Sequence, residues 1–296
     1  MIIGSHVSMK ANNYFVGSIE ETHANNANAL MLYTGAPQNT KRIPIDSLHI
    51  PEALALMKEY EIPEKNLIIH APYLINLANP ESSTEQKDFN LSFLNSEIDR
   101  ACAMHASCIV LHPGSSVHGT KEEGIEVLAE QLNRLKLDNI TLCLETMAGK
   151  GREIGSSFEE LAQILDRVNL AEHIGICLDT CHINDAGYSL DHFDSVLDQF
   201  DHIIGVEKLK VIHLNDSKNE RGSHSDRHAN IGMGTIGFDN LLSVAVNART
   251  SNVPKILETP WIDGHSPYKE EISMLKNGAF HAESLIELHE EKQRTK

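Results

Sequence analysis

A short apolar run that ends on a histidine or an acidic residue occurs six times in this sequence of 296 residues. The runs are too short, and too rich in Ile, Val, Leu and Cys, for surface helices, so each is typical of a buried β-strand. They follow one another at steps of 33 to 45 residues, and a strand with its crossover helix needs about 30 residues or more. The six runs are LIIH ending at His70, CIVLH at His112, ITLCLE at Glu145, ICLD at Asp179, KVIH at His213 and KILE at Glu258.

Polar residues at the C-terminal ends of successive parallel strands converge in one common architecture, the (β/α)₈ or TIM barrel. Strand and helix patterns alternate along the whole chain without an internal linker or a shift in composition, so the sequence predicts an α/β protein with a single barrel domain, residues 1–296. Two further strands are predicted at Ile2–Val7 and Ala29–Thr34. Helices are predicted at Ile50–Tyr60, Phe89–His105, Thr120–Leu137, Phe158–Val168, Ser189–Ile203, Phe238–Ala248 and Ala279–Glu290. Capping boxes are predicted for Thr120 with Glu123 and for Ser157 with Glu160.

The charge and the cysteines narrow the class of protein. A formal net charge of −17 argues against broad, non-specific attraction to nucleic acid. No apolar run approaches the ~20 residues needed to cross a bilayer, and the start MIIGSHVS lacks a signal-peptide pattern, so a cytoplasmic protein without membrane or obligate protein partners is expected. Cys108, Cys143 and Cys177 lie inside strand runs and are expected to be core residues rather than disulfide partners.

The rim of such a barrel would carry an unusual number of metal-ligand residues. His182 lies three residues after Asp179, and the pair Asp226-x-His228 has the spacing of two side chains on one side of an extended segment. With the six strand ends these make nine candidates, too many for one ion and suited to two or three. A single histidine at a strand end is more often a hydrogen-bonded structural residue than a metal ligand. Six ligand-type residues on one rim, however, favour a metal site. Imidazole and carboxylate without thiolate fit Zn²⁺, with Mn²⁺ and Fe²⁺ also compatible.

Several divalent ions about 3.5–4 Å apart are the arrangement that enzymes use for displacement at phosphorus.

Other residues on the rim can be interpreted in two ways. Tyr73 and Asn76 either pack under their loop or touch substrate. The pairs Lys41–Arg42 and Lys150–Arg152 are either solvated or contact phosphates.

Several segments resemble the three signature regions of the endonuclease IV family of apurinic/apyrimidinic endonucleases. These are HAPYLINLA from His70, LDTCHINDAGY around Asp179, and HLNDSK from His213 with the later DRHANIGMG. The opening GSHVS, the loop ETMAGKG and the ending ETPW are also similar, so the resemblance covers nearly the whole chain.

The resemblance implies a (β/α)₈ barrel with three Zn²⁺ ions and a DNA-repair hydrolase of the deoxyribonuclease IV type. It implies that His70, His112 and Glu145 hold one zinc, that Asp179, His213 and Glu258 hold a second zinc shared by Glu145, and that His182, Asp226 and His228 hold the third. Glu145, Asp179 and His182 are thereby expected to act in catalysis. A hydroxide shared by the first two ions would attack the phosphate 5′ to an abasic site, leaving a 3′-hydroxyl and a 5′-deoxyribose phosphate. Removal of blocked 3′ ends is also expected.

The implied partner is double-stranded DNA with an abasic site, in base excision repair. His6 and Tyr73 match family positions near the DNA or the site, and Asn76 lies in the same loop as Tyr73. Some family members carry a basic and aromatic stretch after the second strand that enters the minor groove. This chain has GAPQNTKRIPI there, so Gln38 or a neighbour is expected to fill the gap left by the flipped sugar.

Two other classes of function fit the same rim. A metal-dependent sugar isomerase or epimerase also uses a barrel with a divalent site, but it needs fewer ligands and usually a catalytic lysine or a second glutamate base. A DNA-lesion binding or metal-storage protein would bind without cutting a strand. Metal content and an assay on an abasic oligonucleotide distinguish the three.

Overall fold

The computed structural model describes residues 1–137 and 139–287. Its main element is a closed barrel in which eight strands lie in the order β1-β10-β7-β6-β5-β4-β3-β2. All eight pairings are parallel, and β1 closes the ring by pairing with β10. The barrel strands are β1 (Ile3–His6), β2 (Ala29–Leu32), β3 (Leu67–His70), β4 (Cys108–Leu111), β5 (Thr141–Glu145), β6 (Ile174–Asp179), β7 (Leu209–His213) and β10 (Lys255–Leu257). A separate antiparallel pair comprises β8 (Asp216–Ser217) and β9 (His228–Ala229).

Helices follow the strands, which confirms the predicted α/β class and TIM-barrel fold. They are α1 (Tyr14–Ala24), α2 (Ile50–Glu59), α3 (Thr84–Ala103), α4 (Lys121–Leu132), α5 (Phe158–Leu165), α6 (Thr180–Ala186), α7 (Phe193–Ile203), α8 (Phe238–Ala245) and α9 (Tyr268–Asn277). The sequence patterns missed α6 and α9. Residues 282–287 are helical, and the rest of the helix predicted at Ala279–Glu290 lies outside the described residues.

Local hydrogen bonds explain where some of these helices begin. Thr120 and Glu123 form the predicted capping box at the start of α4. Ser157 caps α5 by accepting the Glu160 backbone N–H at 3.2 Å. In a capping box the Glu160 carboxylate would also accept the backbone N–H of Ser157. Here Glu160 Oε2 instead accepts the N–H groups of Gly155 and Ser156 at 2.8 and 3.0 Å. The predicted capping box at Ser157 and Glu160 was therefore right for the serine cap and wrong for the hydrogen bond from Glu160.

The barrel interior is apolar at the level of the strand centres. Nine buried residues fill it: Ala29, Met31, Ile68, Cys108, Val110, Cys143, Cys177, Val211 and Ile256. The five cysteines of the chain are free, and the three in strands lie in this layer, as predicted. A second, larger apolar core packs between the strands and the surrounding helices. In the described part of the chain, no helix is long and apolar enough to cross a membrane.

Lys255 is a fully buried cation in β10, in register with Ile3 of β1. Its Nζ donates to the carbonyl oxygen of Thr250. Burial lowers the pKa of this ammonium group from 10.5 to about 8. The folded protein therefore favours the neutral amine more strongly than the unfolded chain does.

We predict that Lys255→Met removes a specific pH dependence of stability. Because the folded-state pKa is the lower one, the unfolded chain binds more protons between about pH 8 and 10.5, and the wild-type free energy of unfolding gains up to about 3 kcal/mol across this window. Urea unfolding measures this as a change of that size in the difference between the free energies of unfolding of wild type and Lys255→Met. In the control Lys65→Met, where the replaced lysine is exposed, the free energy of unfolding should change with pH as it does in wild type. A constant difference across the window would contradict the buried-amine interpretation.

Candidate metal centre

Six strands deliver one ligand-type side chain each to the same mouth of the barrel. Side chains two residues apart on a strand point to the same side. The apolar interior layer contains Ile68, Val110, Cys143, Cys177, Val211 and Ile256. Two residues further along each of these strands lie His70, His112, Glu145, Asp179, His213 and Glu258. The alternation that fills the barrel interior therefore also aims these six side chains into its C-terminal mouth.

His70 and His112 meet one oxygen of the Glu145 carboxylate. The Nε2 atoms of His70 and His112 lie 3.1 and 3.2 Å from Glu145 Oε2. The potential ligand atoms of the three residues all lie within 4.8 Å of one another. Three protein donors of this kind are the number that a catalytic zinc site uses.

The other oxygen of Glu145 faces a second group. Glu145 Oε1 lies 3.0 Å from His213 Nδ1, and the same nitrogen lies 2.9 Å from Glu258 Oε2 and 3.9 Å from Asp179 Oδ2. These four residues also offer ligand atoms within 4.8 Å of one another. One carboxylate is thus shared between two adjacent groups of potential ligands.

A third group lies beside Asp179. His182 Nε2 and His228 Nε2 lie 3.1 and 3.6 Å from Asp226 Oδ1. His228 Nε2 is also 3.6 Å from Asp179 Oδ2. His182 is on α6 rather than in a loop as the sequence predicted, and Asp179 caps this helix by accepting the His182 backbone N–H at 2.8 Å.

Backbone carbonyl groups fix the orientation of three of the histidine rings. The Nδ1 atoms of His70, His182 and His228 lie 2.7, 2.7 and 3.2 Å from the carbonyl oxygens of Ala71, Thr146 and Glu258. A proton on Nδ1 satisfies each carbonyl and leaves the Nε2 lone pair directed into the centre. His213 is turned the other way, with Nδ1 toward the carboxylates.

The carboxylates and imidazoles shift one another's pKa values. Burial alone raises the pKa of Glu145, but His213 and His112 outweigh burial and hold that pKa well below its usual range. Burial alone would lower the pKa values of His182 and His213, but neighbouring groups raise both well above 6.5. For His182 the largest such effect comes from Asp179. For His213 the largest effects come from Cys177 and Glu258. Without a metal, the centre therefore favours a proton on the second nitrogen of the His182 and His213 rings, and a bound cation would take the place of that proton.

These features fit divalent cations. Four carboxylates converge at a buried mouth, so their mutual repulsion needs compensating positive charge. His228 Nε2 is buried and has no hydrogen-bond partner within the described structure, although it points at Asp179 and Asp226. An imidazole nitrogen left without a proton or partner and facing two carboxylates is the donor expected of a metal site.

Two residues that sequence reasoning missed support the centre. Asn215 Nδ2 donates to Asp179 Oδ2 at 2.7 Å, and Asn215 Oδ1 accepts the Glu258 N–H at 2.8 Å. Thr146 Oγ1 accepts the Asp179 N–H at 2.9 Å. Each follows a strand-end ligand by one or two residues, so its place on the rim was the only signal in the sequence.

Asp216 organises the loop that contains β9. It is buried, and its two carboxylate oxygens accept the backbone N–H groups of Ser217, Gly232, Gly234, Ile236 and Gly237. A Cβ atom at position 234 would lie 2.4 Å from Asp216 Oδ1, so glycine is needed there for the chain to approach the carboxylate. Beyond His228, Asp216 therefore holds residues 232–237 of the long polar loop that the sequence predicted to be functional, and Glu271 Oε1 accepts the Ile231 N–H at 2.9 Å.

The residues predicted to contact DNA differ in accessibility. Tyr73 is 55% exposed and Gln38 is exposed. The His6 ring lies 5.0 Å from that of Tyr33, and burial lowers its pKa to about 4, so it is neutral. Asn76 packs under its loop: Oδ1 accepts the N–H groups of Ala78 and Ser115 at 3.0 and 3.1 Å.

Arg42 corrects the interpretation of the Lys41–Arg42 pair. Its Nε lies 2.7 Å from Oε1 of the buried Glu97, and only 8% of its side chain is exposed. Its NH1 atom donates to the carbonyl groups of Asn39 and Lys41 at 3.1 and 2.8 Å. Arg42 is thus neither solvated nor free to contact a phosphate, and it braces the loop that contains Gln38.

Comparisons with known proteins agree with this geometry. The family model described as Xylose isomerase-like TIM barrel, AP_endonuc_2, matches residues 19–278. A probable endonuclease 4 from Pediococcus pentosaceus is 51% identical, covering 97% of this chain and 98% of its own, and one from Enterococcus faecalis is 50% identical, covering 96% and 98%. The solved endonuclease IV of Thermus thermophilus superposes with a TM-score of 0.80 at 28% identity, covering 94% and 100% of the two chains. A D-tagatose 3-epimerase-like protein, at 20% identity and a TM-score of 0.67, shares the fold.

We predict that divalent ions stabilise the metal-free protein more at pH 8.5 than at pH 6. The raised pKa values of His182 and His213 give the metal-free centre stability that is fully present below pH 6.5 and lost as the pH rises through their folded-state pKa values. Deprotonated ligands also bind cations more tightly. Calorimetric Tm values with and without Zn²⁺ or Mn²⁺ check this, with Na⁺ at equal ionic strength as the control. An equal or larger Tm increase at pH 6 would contradict it.

Proposed function

Because this chain belongs to the endonuclease IV family of apurinic/apyrimidinic endonucleases, we propose that it is a zinc-dependent hydrolase that cuts the DNA backbone 5′ to abasic sites. The products would be a 3′-hydroxyl end and a 5′-deoxyribose phosphate end, and blocked 3′ ends would be further substrates. The observation that carries the proposal is the sharing of one buried carboxylate, Glu145, between two groups of potential ligands, with a third group adjacent.

The nine side chains divide into three proposed zinc sites with Glu145 common to two of them. Zn²⁺ ions bound there would supply a nucleophile from water near neutral pH and charge stabilisation at the phosphate. The sites are His70, His112 and Glu145; Glu145, Asp179, His213 and Glu258; and His182, Asp226 and His228. Mn²⁺ or Fe²⁺ also suits these donors.

The protein contributes preorganised orientation to this chemistry. Asp179 is held by Asn215 and Thr146, and the rings of His70, His182 and His228 are held by backbone carbonyl groups. Little rearrangement of these ligands is then needed during turnover, which is how fixed polar groups contribute most to catalysis. Glu145, Asp179 and His182 connect the three groups and are the proposed catalytic residues.

The loops around this mouth carry the proposed DNA contacts. An abasic nucleotide has no base to unstack, so its extrusion into the mouth costs less than that of a normal nucleotide. Tyr73 and Gln38 are exposed on the loops after β3 and β2, and His6 lies at the end of β1. Exposed cations on the loops after strands are available for phosphates despite the net charge of −17: Lys10, Lys41, Lys150, Arg152, Lys218, Arg221 and Arg227.

We predict that Glu145→Gln abolishes cleavage of a duplex with one synthetic abasic site. The neutral amide cannot supply the negative charge that the two groups of ligands share. Replacing a residue that only supports a metal ligand costs up to about 100-fold, so the loss of the shared ligand should lower activity by more than that. Circular dichroism should show an unchanged fold, and Glu126→Gln on the exposed side of α4 should retain full activity. Unaltered turnover by Glu145→Gln would refute the bridging role. Turnover of a free ketose by wild type, without strand scission, would instead identify a sugar isomerase or epimerase.

We also predict a steep loss of DNA affinity with salt. Log Kd should change with log salt concentration by about 0.9 for each phosphate contacted. Fluorescence anisotropy with the inactive Glu145→Gln variant between 50 and 200 mM salt measures this slope. Lys150→Gln on the rim should reduce the slope by about one, whereas Lys65→Gln, just before β3 at the opposite end of the barrel, should leave it unchanged. A slope near zero would count against DNA as the substrate.

A further inference from the structure

Asp185 is a fully buried carboxylate outside the three groups of ligands. It lies on α6, three residues after His182. Its Oδ1 accepts the Ser217 hydroxyl at 2.7 Å and the Asn184 side-chain amide at 3.1 Å. Its Oδ2 accepts the Asn219 side-chain amide and the Asp226 backbone N–H, each at 2.9 Å. One side chain thus joins α6 to the loop between β8 and β9.

Backbone contacts of the same helix hold the same loop. The carbonyl oxygen of Asp185 accepts the His224 N–H at 2.9 Å, and that of Asn184 accepts the Gly222 N–H at 3.0 Å. With the two Oδ2 contacts, the loop is attached to α6 at residues 219, 222, 224 and 226. Since α6 also carries His182, the helix serves as a common base for both sides of the third group of ligands.

The backbone of Asp226 shows why this attachment is needed. Its φ is 58°, a left-handed conformation that non-glycine residues rarely adopt without support. The bond from its N–H to Asp185 Oδ2 is made in this conformation, in which Asp226 Oδ1 lies 3.1 Å from His182 Nε2. His224, two residues earlier, also has a positive φ of 52°. A loop with two such residues would relax to other conformations if its anchor were removed.

We propose that Asp185 is a positioning residue for the third metal site: it clamps the 219–226 loop to α6 and thereby holds Asp226 against His182 and His228. This inference rests on the proposed function, because it assumes that these three residues bind an ion. Both carboxylate oxygens of Asp185 accept hydrogen bonds from Asn184, Ser217, Asn219 and Asp226. Asp185 therefore acts on the metal site through Asp226 and not as a ligand. The site of the first two ions does not depend on it.

The test compares Asp185→Asn with Asn219→Ala and with a control, Asp239→Asn, in which an exposed carboxylate on α8 is removed. All four partners of the Asp185 carboxylate donate hydrogen bonds to it. Asp185→Asn removes the charge and replaces one of the two acceptor oxygens by an N–H donor, so donor faces donor on one side of the clamp and the clamp is weakened at unchanged side-chain volume. Asn219→Ala removes one contact from the partly exposed loop side and leaves Asp185 in place. This second variant serves if Asp185→Asn fails to fold.

The first readout is metal content of the zinc-loaded protein after dialysis, combined with titration against a chelating dye. Asp185→Asn should retain two ions and bind the third about 10- to 100-fold more weakly. Asn219→Ala should weaken the same single ion by less, and Asp239→Asn should match wild type. General destabilisation would not remove one ion selectively. Wild-type affinity for all three ions in Asp185→Asn, or in Asn219→Ala if that is the variant that folds, would overturn the clamp.

The second readout does not depend on the metal count. Trypsin should cut after Arg221 and Arg227 faster in Asp185→Asn than in wild type, in both zinc-loaded and chelator-treated protein. If wild type holds fewer than three ions, the trinuclear proposal fails, and the trypsin rates alone decide the clamp. Equal rates would then overturn it, and faster cutting in the variant would support it.

Discussion

The Glu145 carboxylate is the contact on which the architecture of the mouth depends. Its Oε2 lies 3.1 and 3.2 Å from the Nε2 atoms of His70 and His112, and its Oε1 lies 3.0 Å from His213 Nδ1. Such a buried anion is costly unless it is paired. The barrel meets this requirement because β3, β4 and β7 deliver His70, His112 and His213 around β5, which carries Glu145. The third group depends on this centre indirectly, since Asp179 lies between His213 and His228.

The fold and the centre follow from the same alternation of side chains. A parallel strand that fills a barrel interior with one apolar residue places the next inward residue two positions further toward the mouth. Below the mouth this gives a buried layer of aliphatic, methionine and cysteine side chains, and at the mouth it gives histidine, aspartate and glutamate. Water is excluded from below the centre, which strengthens the electrostatic interactions within it.

The part of the structure that could be predicted from sequence is the part that periodicity encodes. The six strand ends were identifiable by their repetition. Asp226 and His228 were identifiable by their spacing, but the predicted extended segment was wrong at Asp226, whose φ of 58° is left-handed. The supporting residues Asn215, Asp185 and Asp216 could not be identified, because their partners are groups that only the folded loops bring near. Arg42 was misjudged for the same reason, since Glu97 lies 55 residues away on α3. The assignment of the nine ligands and of Tyr73 and Gln38 to their roles stays a prediction.

We propose that nine side chains form three adjoining metal sites with Glu145 common to two. Anomalous diffraction from crystals of the zinc-loaded protein, recorded above and below the zinc edge, tests it most directly. We expect three anomalous peaks within the mouth, two of them on either side of Glu145 and one between His182, Asp226 and His228. A single peak, or peaks that avoid Glu145, would contradict it.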